Sequence, residues 1–190
     1  AYFYRDGTPM TVVAAPSRVQ NSYSVRGRLL FNDTGNGLME FDGTRLVRLP
    51  GCESLTGMDI WSILPYGSGN EILICTLGNG LFIHDGVKLR KWDETLGRIL
   101  SRDQVFSATM IYDDYYVIGT ILNGVMIIDR EGKIVQHINR KKGLQNNTVL
   151  DLFTDRNGNL WLALDNGIDY VTVNSPITFI RSSEGFGAGY

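Results

Sequence analysis

The sequence predicts an all-β fold, and three observations predict it. The first is Asn-Gly, a strong short hairpin signal because a type I′ turn needs positive φ at both central residues. It occurs at Asn36, Asn79, Asn123 and Asn166, 43, 44 and 43 residues apart, and a fixed period in this range marks a repeat architecture. The second is the flanking composition. LLFNDT, ILICTL, YYVIGTI and LWLALD precede the turns, and LMEF, LFIH, VMII and IDYV follow them, all rich in strand-forming residues. The third is that LFIH and VMII barely alternate, so both faces of those strands must be covered. Radially stacked four-stranded sheets do this, since each packs against two neighbours, and that arrangement is a β-propeller. A β-sandwich also buries strands but calls for no such period.

The elements follow in order. FYRDGTPMTVV, Phe3 to Val13, matches the third and fourth strands of a unit, so residues 1–16 read as the end of a preceding blade that starts after a lost Asn-Gly turn. Unit one, 17–57, has RVQNSYSV, the Asn36-Gly37 hairpin, a turn at Asp42-Gly43 and TRLVRL. Unit two, 58–102, has DIWSILPY, the Asn79-Gly80 hairpin, Asp85-Gly86 and VKLRKW. Unit three, 103–147, has FSATMIYD, the Asn123-Gly124 hairpin, Glu131-Gly132 and KIVQHI. Unit four, 148–190, has VLDLFTD, the Asn166-Gly167 hairpin, a looser turn at Asn174-Ser175-Pro176 and ITFIRS, and the tail SSEGFGAGY reads as a connection toward another blade. The expectation is a β-propeller segment of about four and a half four-stranded antiparallel blades, where propellers usually close with four to eight. It is therefore read as a fragment of a larger propeller or as one of two copies that complete each other, since an open array exposes strand edges and an apolar face.

The totals fit a soluble globular class: 43% hydrophobic, 20% charged, net charge −2. Nothing argues for nucleic acid or an anionic membrane surface. No apolar run approaches the ~18 residues of a membrane span, and no signal or transit sequence is visible. The chain begins at Ala1 without a methionine, which reads as a mature or truncated piece. Cys75, in the run ILICT, reads as a buried thiol, Cys52 lies in a loop-like stretch, and their pairing stays open.

The stretch GLQNNTVLDLFTDRNGNLWLALDNG, Gly143 to Gly167, resembles the two-component regulator propeller repeat, with its pattern of Gly-Leu, a later Asp-x-x-Gly-Asn-Leu-Trp and a Gly-Thr-like strand end. Gly69 to Thr76 echoes it with aliphatics in place of the tryptophan, Gly119-Thr120 keeps the Gly-Thr, and Thr34 reads as the threonine of unit one with Asp33 before it. Such repeats form the extracytoplasmic sensor regions of bacterial hybrid two-component systems, ahead of a transmembrane helix and a histidine kinase, and many respond to oligosaccharides. The resemblance implies a periplasmic sensor piece whose kinase chemistry lies elsewhere.

No chemistry-bearing constellation competes with this. Asp155 to Asn159 lacks the EF-hand spacing and reads as a hairpin turn. His84 and His137, in equivalent regions of two units, have no accompanying ligand cluster or nucleophile elbow. Asp113-Asp114 reads as a turn, because strand neighbours point to opposite faces. The expectation is no catalytic residue, no metal and no cofactor. Trp61 and Trp161 read as inter-blade core, whereas Trp92, on an outer strand, is the freest to stack on a sugar. The run Arg140-Lys141-Lys142 reads as a solvated loop. Ligand contact is expected where the fourth strand leads into the next blade: the loops 49–57, 93–103 and 139–147, with Arg102, Asp103, Gln145, Asn146 and Trp92 as candidates and local turn capping as the competing role of the polar ones. An oligosaccharide ligand, and self-association or completion by further blades, are the expected partners. A propeller glycosidase or lyase and a protein-binding scaffold are the rival readings.

Overall fold

The structure, a computed structural model, describes residues 2–5 and 8–173, with side chains from Val13 onward. A two-stranded antiparallel sheet comes first, β1 (Tyr2–Arg5) with β2 (Thr8–Val12). Three four-stranded antiparallel sheets follow. They are β3 (Val19–Val25), β4 (Arg28–Asp33), β5 (Gly37–Phe41) and β6 (Leu46–Arg48); then β7 (Ile60–Pro65), β8 (Ile72–Thr76), β9 (Leu81–His84) and β10 (Leu89–Lys91); then β11 (Val105–Ile111), β12 (Tyr115–Thr120), β13 (Val125–Ile128) and β14 (Ile134–Ile138). The last sheet has β15 (Val149–Thr154), β16 (Leu160–Leu164) and β17 (Gly167–Val171). The fourth strand expected over ITFIRS, the turn at Asn174 to Pro176 and the tail lie outside the described residues.

Each sheet is a meander, and the first strands β3, β7, β11 and β15 pack on one another in sequence. The sheets therefore fan out as blades of a propeller segment. The core lies between them. Leu30 and Leu38 meet Ile72, Ile74 and Phe82; Leu73, Leu81 and Ile83 meet Tyr116, Ile118 and Met126; Val117, Val125 and Ile127 meet Leu160, Leu162 and Leu164. Both faces of β8 and β12 are thus buried, which is why ILICT and YVIGT do not alternate. Inter-blade hydrogen bonds near the inner strands add direction to this packing. The Tyr23 hydroxyl donates to the Ile60 carbonyl at 2.6 Å, the Ala108 N–H to Ser62 Oγ at 2.9 Å, and the Thr154 hydroxyl to the Met110 carbonyl at 3.1 Å.

The Asn-Gly turns sit where the sequence places hairpins, but they are not type I′. Only the glycines have positive φ, from 77° at Gly124 to 108° at Gly167, and no Asn is among the described non-glycine residues with positive φ. In units two and three a threonine three residues before the Asn organises the turn. Thr76 Oγ1 donates to the Gly80 carbonyl and accepts from Asn79 N–H, and Thr120 does the same with Gly124 and Asn123. A hydroxyl cap of this kind needs a longer loop than a two-residue hairpin. The primed geometry occurs instead at the other end of the first blade, where Arg26 and Gly27, φ 49° and 74°, join β3 to β4. In unit one Asp33, not Thr34, takes the threonine's place. It is fully buried and accepts from Ser17 N–H and Oγ, Gly35 N–H, and Asn36 N–H and Nδ2.

Several other readings change. The connection 93–103 is mostly an α-helix, α1 (Glu94–Asp103), and the other two connections each contain a turn of 3₁₀-helix at Glu53–Leu55 and Arg140–Lys142. Asp93 caps α1 by accepting from Leu96 N–H at 2.6 Å, and Leu96 and Leu100, one turn apart, bury its inner face. His84 and His137 are not equivalent, since one ends β9 and the other lies in β14. Trp92 is not free: it is half-buried edge-on against Tyr66 and Tyr116 at 5.6 and 5.2 Å. Trp161, expected in the core, is 45% exposed among the described residues. Trp61 stacks on Phe106 of the next blade at 4.1 Å. Cys52 and Cys75 are both free, buried thiols.

Candidate functional site

Strand directions put the Asn-Gly turns and the blade-to-blade connections at one end of the molecule, and the two sets touch. A Cβ on Gly80 would lie 3.1 Å from Gly97 Cα in α1, and one on Gly37 would lie 3.2 Å from Thr56 Oγ1. Glycine is required there because the turn is left-handed and the connection lies against it. This end is a continuous surface of turns and short helices.

The five sequence candidates are not gathered into one site. Arg102, at the end of α1, donates from Nε to Asp103 Oδ1 at 2.9 Å while its side chain stays 71% exposed. That hydrogen bond, with the adjacent negative charge, raises the guanidinium further above its ordinary value. Asp103 is buried, and its other oxygen accepts from Asn123 Nδ2 at 2.9 Å, tying α1 to the third blade's turn. Gln145 grips both carboxylate oxygens of Asp169 with its backbone and side-chain N–H groups, at 2.8 and 2.6 Å. Asn146 Oδ1 accepts from Thr148 N–H, a local turn cap. Trp92 belongs to the aromatic cluster with Tyr66 and Tyr116. Each of the four polar candidates thus makes at least one structural hydrogen bond.

Sequence reasoning missed a groove of about 200 Å³ between α1 and the Asn79-Gly80 turn. Asn79, Lys91, Asp93, Glu94, Arg98 and Ser101 line it. Two of these are committed, Asp93 to the helix cap and Ser101 Oγ to the Gly97 carbonyl at 2.7 Å. Arg98 makes one long contact to Thr95 Oγ1 at 3.3 Å, so its guanidinium remains mostly available alongside the exposed Lys91, Glu94 and Asn79. The groove thus offers donors and an acceptor to a polar ligand. The one signal for it was the Asp93-Glu94 start of a helix with Leu96 and Leu100 four apart.

Acid–base machinery is not assembled elsewhere among the described residues. His84 Nδ1 accepts from Gly86 N–H, which leaves Nε2 to donate to the Pro50 carbonyl at 2.7 Å. His137 Nε2 pairs with the Asn123 carbonyl at 2.7 Å. Asp155 accepts from Asn157 and Asn159 N–H in the β15–β16 turn, and these backbone hydrogen bonds hold its carboxyl below the ordinary value. Arg130 contacts the carbonyl of Asp113 and the carboxylate of Asp114, consistent with a turn. Burial pushes the Cys52 and Cys75 thiols up to about 12, away from nucleophilic form.

Residues 143–166 match the model of the two-component regulator propeller family. The chain carries a two-component regulator propeller repeat. The repeat covers the connection holding Gln145 and Asn146 and the hairpin of β15 and β16. Among solved structures, the extracellular domain of the hybrid two-component system BT3049 from B. thetaiotaomicron is similar at 20% identity and TM-score 0.69, over 95% of this chain and 27% of that one. That of BT4673 from the same organism is 22% identical, TM-score 0.60, over 82% and 21%. PorZ, a bacterial surface component of the type-IX secretion system of Porphyromonas gingivalis, is 17% identical, TM-score 0.57, over 85% and 26%. The chain spans less than a third of each of these chains, and the likeness establishes the shared propeller fold. No curated protein matches it. No helix among the described residues is long and apolar enough to cross a membrane.

Proposed function

We propose that this chain is a non-catalytic, ligand-sensing propeller segment of a periplasmic receptor of the hybrid two-component type, whose parent protein is a histidine kinase feeding a phosphorelay. The observation that carries this reading is the regulator propeller repeat at 143–166, set in a chain of repeated sheets. The fold shared with extracellular domains of two such systems supports it. The ligand class is oligosaccharide. The groove beside α1 suits it, because exposed amide, ammonium, guanidinium and carboxylate groups can exchange hydrogen bonds with ring hydroxyls. Arg102, whose guanidinium is bonded to the buried Asp103 through Nε but stays largely exposed, adds a donor at the same end. Binding that favours one arrangement of the receptor over another transmits the signal across the membrane.

Calorimetric titration with a panel of oligosaccharides tests the reading. Binding without turnover is expected, weakened about tenfold or more by Lys91→Ala or Arg98→Ala, since a hydrogen bond to a charged group is worth about 1.5–3 kcal/mol. Cleavage of a panel member would make the chain an enzyme. Absence of binding across the panel would remove the oligosaccharide assignment, and binding indifferent to both substitutions would remove the groove from it.

A further inference from the structure

The connections into the third and fourth blades form one positively charged surface. Segment 91–103 carries Lys91, Arg98 and Arg102, and segment 139–147 carries Arg140, Lys141 and Lys142. All six are exposed. Leu96 and Leu100 bury the inner side of α1, so Arg98 and Arg102, four residues apart, project from its outer side about 6 Å apart along the axis. Lys91 and Arg98 line the groove together. The third blade's Asn-Gly turn bridges the two segments. Asn123 Nδ2 donates to Asp103 at 2.9 Å, next to Arg102, and a Cβ on Gly124 would lie 3.0 Å from Asn139 Cα, next to Arg140. The cations thus form a stripe from the groove, across that turn, to the 3₁₀ turn at Arg140–Lys142.

Little on this surface neutralises them. The two segments hold three carboxylates. Asp93 caps α1, Asp103 is buried against Arg102 and Asn123, and Glu94 is the one left exposed at the groove. Among the described residues, Lys91, Arg98, Arg140, Lys141 and Lys142 make no ion pair. The Asn-Gly turns beside them, 77–80 and 121–124, carry no charge. At this end of the molecule carboxylates return in the flanking repeats, at Glu53 and Asp59 on one side and at Asp165 and Asp169 on the other, and the connection 49–59 has no Lys or Arg. In a chain of net charge −2, six like charges gathered on one end repel one another, and an anionic partner relieves that repulsion. The charges are spread over a helix, a turn and a second connection, which suits a ligand carrying several anionic groups better than one small ion. The groove at one end of the stripe adds Asn79 and Glu94 as acceptors for hydroxyls.

We propose, resting on the oligosaccharide reading above, that the ligand is an anionic oligosaccharide whose ring hydroxyls meet the groove and whose carboxylate or sulfate groups meet Arg102, Arg140 and Lys141. A guanidinium fork suits either group, since each presents two oxygens to two N–H donors. The test is calorimetric titration with galactan, glucan and mannan oligosaccharides of equal length, each in neutral, uronate and O-sulfated form. A uronate or sulfated member is expected to bind at least about tenfold more tightly than its neutral counterpart, the scale of one charge-assisted hydrogen bond. The preferred form separates carboxylate from sulfate recognition. The advantage should shrink as salt is raised, because exposed charges are screened. The double variant Arg140→Gln, Lys141→Gln should lose about tenfold toward the preferred anionic member, with an unchanged circular dichroism spectrum. Neutral members binding as tightly as charged ones would overturn the anionic assignment and leave the oligosaccharide reading standing. Anionic binding indifferent to the double variant would overturn the stripe as its site. Inorganic polyphosphate binding as tightly as the preferred sugar would show a surface that reads charge alone and would overturn the glycan assignment. Silence of every sugar would overturn this proposal and the oligosaccharide reading together.

Discussion

Gly124→Ala isolates the contact between an Asn-Gly turn and the connection beside it. Gly124 has φ +77°, and a Cβ there would lie 2.3 Å from the Ile138 carbonyl oxygen and 3.0 Å from Asn139 Cα. Those atoms are backbone, so the turn itself must move. Moving it strains the Gly124 N–H bond to the Asn147 carbonyl at 2.8 Å and the two bonds that Thr120 sends to the Gly124 carbonyl, each 2.9 Å. The left-handed backbone costs alanine about 1–2 kcal/mol, and the three weakened, not lost, hydrogen bonds together add about 1–3 kcal/mol. The sum is about 2–5 kcal/mol. Gly43→Ala is the control, because Gly43 has φ +100° but nothing within 4 Å of its added Cβ, which leaves only the backbone term of about 1–2 kcal/mol. Urea unfolding followed by circular dichroism gives both values, with the shift in midpoint read at constant slope. Equal losses in the two variants would refute the claim that the connection packs against the turn.

Three further outcomes follow from the buried polar groups. Asp33 is pulled two ways: burial raises its carboxyl, but the hydrogen bonds from Ser17, Asn36 and Gly35 outweigh that and hold it below the ordinary value. Its contribution is therefore complete above the unfolded carboxyl's range near ~4 and is lost as pH falls through the lower folded value. Thermal melts from neutral to acid pH should show a decline there that is shallower in Asp33→Asn. Asp103→Ala leaves Asn123 Nδ2 without its acceptor and should cost about 1–3 kcal/mol in urea unfolding. Cys52 and Cys75, buried with thiols raised to about 12, should react with a thiol reagent only in denaturant, where both titrate together.

Much of this fold was legible because the repeat carries the same physical demand several times. An Asn-Gly every 43 or 44 residues, flanked by strands with no polar face, leaves stacked sheets as the economical answer. The turn type was not legible, because Thr76 and Thr120 decide it through hydroxyl bonds that composition does not display. Helix α1 was hidden by its length and by Gly97 in its middle, although Asp93 and the Leu96–Leu100 pair marked it. The site was the least legible part. Asp103, Gln145 and Asn146 are the polar residue types a binding loop uses, yet here they are spent on Asn123, Asp169 and Thr148. The groups left over, Lys91, Glu94 and Arg98, became neighbours of Asn79 only once the helix folded onto the turn.

Amide chemical-shift mapping of the labelled chain during titration with the oligosaccharide panel tests the proposed role most directly. Progressive, saturable shifts centred on Asn79, Lys91 and the first two turns of α1, with the sheets undisturbed, are predicted. Shifts confined to another surface, or no saturable shift with any member, would contradict it.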